Sequence, residues 1–125
     1  MTEQPDPNAR RRLRISQRTV DGTVVVEVVG EVDLATAPEL QAAIVTALRA
    51  AGDGGCVADL TDVTFLGSPG LTALLNGTQE AEHRREPLKI VVDANRPVIR
   101  PIEITGLDQV LRLYHTLNEA LRSDR

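Results

Sequence analysis

A chain of 125 residues is long enough for one domain with an ordinary buried core, and 18 acidic against 14 basic residues leave a net charge of −4. That balance excludes a dedicated nucleic-acid binder, whose affinity rests on cations neutralising phosphates. With only Phe65 and Tyr114 as aromatics, there is also no stacking platform for bases. One cysteine, Cys56, excludes an internal disulfide, and its apolar neighbours make it a small buried hydrophobe rather than a reactive thiol.

Residues 1 to 12 are rich in Pro and charge and lack periodicity, so they read as a flexible N-terminal arm. Arg10, Arg11, Arg12 and Arg14 read as a solvated flank. Two β-rich runs follow, Leu13 to Val20 and Val24 to Val29, and Asp21-Gly22 between them is a strong hairpin signal. Gly30 is expected to end the second strand, leaving Glu31-Val32-Asp33-Leu34 as a loop.

Thr36 and Glu39 have the spacing of a capping box, with Pro38 in the first turn, where a missing N–H does no harm. Leu40, Ile44, Ala47, Leu48 and Ala51 then share one helical face, and Gly52 ends the helix. Gly54 and Gly55 lie in the following turn. Cys56 to Leu60 reads as a buried strand, and Val63 to Leu66 leads into Gly67-Ser68-Pro69-Gly70. Leu71, Leu74, Leu75 and Thr78 define a second helix running to about Glu82.

Leu88 to Val92 is a continuous apolar strand. Asn95 to Thr105 is a weaker helix that Pro101 should kink or shorten, and Gly106 ends it. Val110 to Tyr114 is a last strand. Thr116 with Glu119 forms another capping box, before a helix carrying Leu117, Ala120 and Leu121.

The order is β-β-α-β-α-β-α-β-α. Apolar strands alternating with amphipathic helices imply a mainly parallel, mixed sheet opened by a β-hairpin, with about four helices in one α/β domain over residues 13–125. No apolar run reaches membrane-spanning length and the N-terminus is polar, so a cytoplasmic protein without signal peptide or anchor is expected.

The glycine-proline cluster places one hydroxyl, that of Ser68, at a break between apolar runs. It does not fit a nucleophile elbow. That motif needs Gly two residues before the Ser, where Leu66 stands, and an oxyanion-hole N–H from the next residue, where Pro69 has none. Phosphate-loop and dinucleotide signatures are absent, and His83, His115 and Cys56 lack zinc-ligand spacing. Glu31, Asp33, Asp59 and Asp62 flank strands but do not by themselves define a metal site, so neither cofactor nor metal is expected.

Ser68 suits a helix N-cap, with Pro69 at the first helical position. It equally suits a modification target. A phosphate there adds about −1.5 to −2 charges beside the positive end of a helix dipole, which leaves the fold intact while changing the surface. The residues alone leave both readings open.

Gly30-Glu31-Val32-Asp33-Leu34, then Asp59-Leu60 with Phe65-Leu66-Gly67-Ser68-Pro69-Gly70-Leu71, then Ile104-Thr105-Gly106-Leu107 occur in an order that resembles the STAS domains of bacterial anti-sigma factor antagonists. The likeness covers about residues 13 to 122. It implies a STAS-like single domain that is not an enzyme. Such a domain binds an anti-sigma factor that is also a serine kinase, is dismissed by phosphorylation of a serine at the start of the second helix, and is restored by a phosphatase.

The family's usual motif is Asp-Ser-Ser/Thr-Gly with the first hydroxyl residue as acceptor. Ser68 matches that position, Gly67 replaces the Asp and Pro69 the second hydroxyl. The resemblance makes Glu31, Asp33, Leu34, Gly67, Ser68, Pro69, Gly70, Thr72 and Asn76 the expected partner surface, with no direct nucleic-acid or membrane contact. Two other uses of the same fold remain as alternatives: a structural or signalling subunit of a stress-signalling or transport assembly, and a nucleotide-binding module.

Overall fold

The structure is a computed structural model that describes residues 12–52 and 54–123. Strands β1 (Leu13–Val20) and β2 (Thr23–Val32) pair antiparallel across Asp21-Gly22. Both turn residues take positive φ, 51° and 82°, as a tight hairpin between right-twisted strands requires. Strands β3 (Cys56–Leu66), β4 (Leu88–Val91) and β5 (Arg112–Tyr114) then add in parallel, giving a five-stranded sheet of order β1-β2-β3-β4-β5. Helices α1 (Ala37–Ala50), α2 (Ser68–Arg84), α3 (Arg96–Ile104) and α4 (Leu117–Arg122) connect or follow the strands, with a 3-10 turn over Leu107–Gln109. Among the described residues, the mixed sheet, hairpin opening and four helices match the expected architecture.

Alternation along β2 divides the interior into two parts. Val24, Val26, Val28 and Val32 face a main core filled by Leu40, Ile44 and Leu48 of α1, Leu71 and Leu74 of α2, and Val98 and Ile102 of α3. Each buried Leu or Ile there contributes about 1.5–3 kcal/mol. Val25 points the other way, joining Val57 and Val91 under Ala120 of α4. Three helices therefore cover one face and the six-residue α4 part of the other. Cys56 is buried as expected, and burial, aided by the charge of Glu86, pushes its thiol pKa up to about 12. No described helix is long and apolar enough to cross a membrane.

Several local expectations are corrected. Gly30 does not end β2: at φ 115° it forms an irregularity in the ladder, and the strand continues through Glu31 and Val32, which pair with Phe65 and Leu66. A side chain at Gly30 would collide with the backbone of Arg12, so glycine is required by both conformation and contact. Of the arm expected over residues 1–12, only Arg12 is described; its carbonyl accepts from the Glu31 N–H.

The two strand segments expected at Cys56–Leu60 and Val63–Leu66 are one strand, of which only Cys56 to Asp59 pairs with β4. Beyond that point Asn95 takes over from β4. Its Nδ2 donates to the carbonyls of Leu60 (2.8 Å) and Val63 (2.7 Å), satisfying acceptors beyond the end of the β4 pairing. Helix α3 runs through Pro101 to Ile104, and β5 starts at Arg112 rather than Val110. Thr116 and Glu119 form the reciprocal capping box expected at α4.

Candidate functional site

The carboxyl ends of β2 and β3 converge on the Gly67-Ser68-Pro69-Gly70 segment. Val32 ends β2 beside Leu66, and its carbonyl accepts from the Gly67 N–H at 2.9 Å, so the ladder carries one residue past β3. That bond fixes Gly67 in extended geometry (φ −87°, ψ 179°) and makes it, not Ser68, the N-cap of α2. The Gly67 carbonyl receives the N–H groups of Gly70 (2.9 Å) and Leu71 (3.1 Å). Of the two readings open for Ser68, the helix cap is therefore not the one the fold adopts. Ser68 is the first helical residue, Pro69 the second, and no side-chain cap bond forms.

The consequence is an exposed hydroxyl at the positive end of a 17-residue helix, without a capping role. Gly70 is buried, and a Cβ on it would lie 2.5 Å from Leu66 Cδ1 and 2.8 Å from Val32 Cγ1. Its role is to seat the helix start closely on the strand ends.

The segment Glu31–Leu34 lies beside this start. Asp33 organises the entry to α1. Its Oδ1 accepts from the N–H groups of Ala35 (3.0 Å) and Thr36 (3.1 Å), while its own N–H donates to Thr36 Oγ1 at 2.9 Å. Thr36 Oγ1 donates to the Glu31 carbonyl at 2.9 Å. The reciprocal box thus runs from Asp33 to Thr36. The expected Thr36–Glu39 box is absent because Thr36 sits in helical geometry (φ −105°, ψ −18°), with its hydroxyl turned back to the strand end.

Arg12 pairs with Asp33 and, at 3.6 Å, with Glu31. Asp59 lies away from this group, its Oδ1 accepting from the Thr61 hydroxyl at 2.8 Å. The four strand-end carboxylates do not form one cluster: among the described residues no group of three metal-ligating side chains is suitably placed.

Leu34 is 80% exposed and leads into an open groove of about 550 Å3 between α1 and the start of α2. Pro38, Gln41, Ala42 and Val45 of α1 form one wall, and Pro69 and Thr72 of α2 the other. Thr72 is exposed, as a contact residue must be. Asn76 is half-buried, and its Nδ2 donates to Gln41 Oε1 at 3.1 Å, so it bridges the two helices. The groove lining holds no cation, which does not suit a nucleotide's phosphates.

The structure thus brings Glu31, Asp33, Leu34, Ser68, Pro69 and Thr72 to one end of the sheet, with Gly67 and Gly70 as backbone supports. Two features were not assigned from the sequence. The Pro38-Ala42-Val45 wall was readable as a second apolar stripe on α1, at spacings of four and three, off the Leu40-Ile44-Leu48 face. Phe65 is 51% exposed, and its ring lies against Gly67: a Cβ on Gly67 would be 3.1 Å from the ring's Cε2. An aromatic in an apolar run gave no sign that it would face solvent.

A mixed sheet with a helix start, a loop and a groove open at its strand ends is the arrangement of this domain. Its family follows from comparison. A model described as Mlab, STAS domain, matches residues 15–114, and the chain belongs to the STAS-domain family.

The anti-sigma-F factor antagonist RsfB of Mycobacterium tuberculosis is 39% identical over 106 residues, covering 84% of each chain. An anti-sigma-B factor antagonist of Staphylococcus aureus is 31% identical over 101 residues, covering 81% of this chain and 92% of the relative. The crystal structure of an anti-sigma factor antagonist from Mycobacterium paratuberculosis superposes with a TM-score of 0.72 at 35% identity, over 87% of this chain and 91% of that one.

Proposed function

We propose that this chain is an anti-sigma factor antagonist: a cytoplasmic, non-enzymatic protein that binds an anti-sigma factor and thereby frees a sigma factor. The binding face is the strand-end surface formed by Glu31, Asp33, Leu34, Gly67, Ser68, Pro69, Gly70, Thr72 and Asn76. The anti-sigma factor is itself a serine kinase that phosphorylates Ser68, and a serine phosphatase reverses the modification. Similarity to relatives named for this activity, over more than four-fifths of the chain, supports the reading.

The observation that carries the switch is the Ser68 hydroxyl, exposed at the first position of α2 and not used as a cap. Because it holds no structural bond, a phosphate can be added without dismantling a helix start. The added charge, about −1.5 to −2, sits where the helix dipole offsets part of its cost. At a protein interface the same charge must be desolvated without a prepared partner, which weakens the complex. This reading has the free form bind and the modified form released.

The test is incubation of the purified chain with the anti-sigma factors of its own organism, with and without ATP. Calorimetry reads complex formation and mass spectrometry maps the phosphate. A complex with the unmodified chain and phosphate on Ser68 are the expected results. Phosphate on Thr64 or Thr72 instead would refute the switch assignment, and absence of any complex would refute the antagonist role.

A further inference from the structure

We infer that Phe65 is a binding anchor of the Ser68 face, filling an apolar pocket on the anti-sigma factor; the inference rests on the antagonist reading proposed above. Among the described residues, four large apolar side chains are conspicuously exposed: Leu34, Phe65, Ile104 and Val110. Leu34 and Phe65 flank the Ser68 segment, Leu34 through the groove it shares with Pro69 and Phe65 through its ring on Gly67.

Gly67 supplies the decisive detail. Its backbone (φ −87°, ψ 179°) is open to any residue, so its conformation does not call for glycine. The Phe65 ring lies over it: Cε2 and Cζ would be 3.1 and 3.4 Å from a Cβ there, so a side chain would make the ring give by a few tenths of an ångström. The ring therefore lies against the Gly67 backbone beside Ser68 with its outer part bare. A ring already held against backbone loses little freedom when a partner closes over it, which is the condition for an efficient anchor.

The surroundings fix the chemistry of the receptor. Gly67 and Pro69 carry no charge, and Glu31, ion-paired with Arg12, stands across the ladder from Phe65 as a polar rim. An apolar centre with a charged border matches a receptor pocket lined by aliphatic or aromatic groups.

The experiment titrates wild type, Phe65→Ala, Phe65→Leu and Ile104→Ala against one purified anti-sigma factor that binds the wild-type chain, with a thermal melt of each protein. Ile104 is an equally apolar exposed residue at the far end of α3, about 14 Å along the helix from Asn95, which grips β3 near the site. Phe65→Ala is expected to lose about ten-fold or more in affinity. Phe65→Leu should recover most of that loss, and Ile104→Ala should stay within about two-fold.

Phe65→Ala binding like wild type overturns the inference and leaves the antagonist reading standing. Equal losses in Phe65→Ala and Ile104→Ala overturn it as well, since they report general stickiness. A melting temperature lowered in both Phe65 variants, with affinity per folded molecule unchanged, assigns Phe65 to the fold and also overturns it. If no anti-sigma factor binds the wild type, the antagonist reading fails and this inference falls with it.

Discussion

Two helix starts in this domain read alike in sequence and differ in use. At α4, Thr116 precedes the helix in extended geometry (φ −127°, ψ 158°), and its hydroxyl accepts from the Glu119 N–H at 3.1 Å while Glu119 reaches back. At α2, Gly67 is the N-cap and its carbonyl takes the first-turn N–H groups of Gly70 and Leu71, so Ser68 stands one position inside the helix. One hydroxyl is consumed by the fold. The other is left for chemistry. The difference teaches that a cap is decided by the backbone entering the helix: where the residue before the serine is the last extended one, the serine is released from structural duty.

The comparison can be broken by mutation, and the largest effect should come from the seat of α2 rather than from its serine. Gly70→Ala places a methyl 2.5 Å from Leu66 Cδ1 and should cost about 1–3 kcal/mol by overpacking, read as a lowered midpoint of urea unfolding. It should also weaken partner binding, since Ser68 moves with the helix start. A Gly70→Ala protein as stable as wild type would mean that the close seating is not needed.

Asp33→Ala comes next. It removes the acceptor for Ala35 and Thr36 and the partner of Arg12, at a cost of about 1–2 kcal/mol. Being half-buried and engaged on several sides, Asp33 should affect unfolding more than a simple contact residue would. An unchanged unfolding midpoint with weakened binding would mean that Asp33 serves the binding face alone and not the entry to α1.

Thr116→Ala should then cost about 1 kcal/mol, whereas Ser68→Ala should be within about 0.5 kcal/mol of wild type, because no cap bond is lost and alanine is the better helix former. Equal losses at the two positions would show that Ser68 caps α2 in solution.

The smallest structural effect concerns Cys56. Its pKa, raised to about 12 by burial, keeps the thiol protonated in the folded state at neutral pH, so alkylation at pH 8 should proceed only as fast as the protein opens. The folded form holds this proton more tightly than the unfolded chain. The associated stability is therefore complete below pH 9.0 and declines as pH rises toward 12. Rapid alkylation of the native protein would contradict the burial.

The helices and strands were legible in the sequence because their apolar periods and the Asp21-Gly22 and Thr116-Glu119 signals are local. What was not legible depends on neighbours distant in sequence. Gly30 reads as a terminator until Arg12 is seen to need its missing side chain, and the β3 irregularity reads as a break until Asn95 supplies donors from 35 and 32 residues away. The Thr36-Glu39 spacing was right for a box, yet Asp33 competes for the same N–H and hydroxyl groups and takes them. At the site, the Ser68 position was evident from Gly, Pro and the apolar runs around it. The exposure of Phe65 was not, since a ring resting on a glycine looks the same in sequence as a ring in a core.

The most direct measurement of the central claim is the affinity of one anti-sigma factor for three forms of this chain: unmodified, phosphorylated at Ser68, and Ser68→Ala. The account predicts that unmodified protein and Ser68→Ala bind alike, with similar melting temperatures, while the phosphorylated form stays folded and binds far more weakly. Phosphorylated protein that binds as tightly as Ser68→Ala would contradict it.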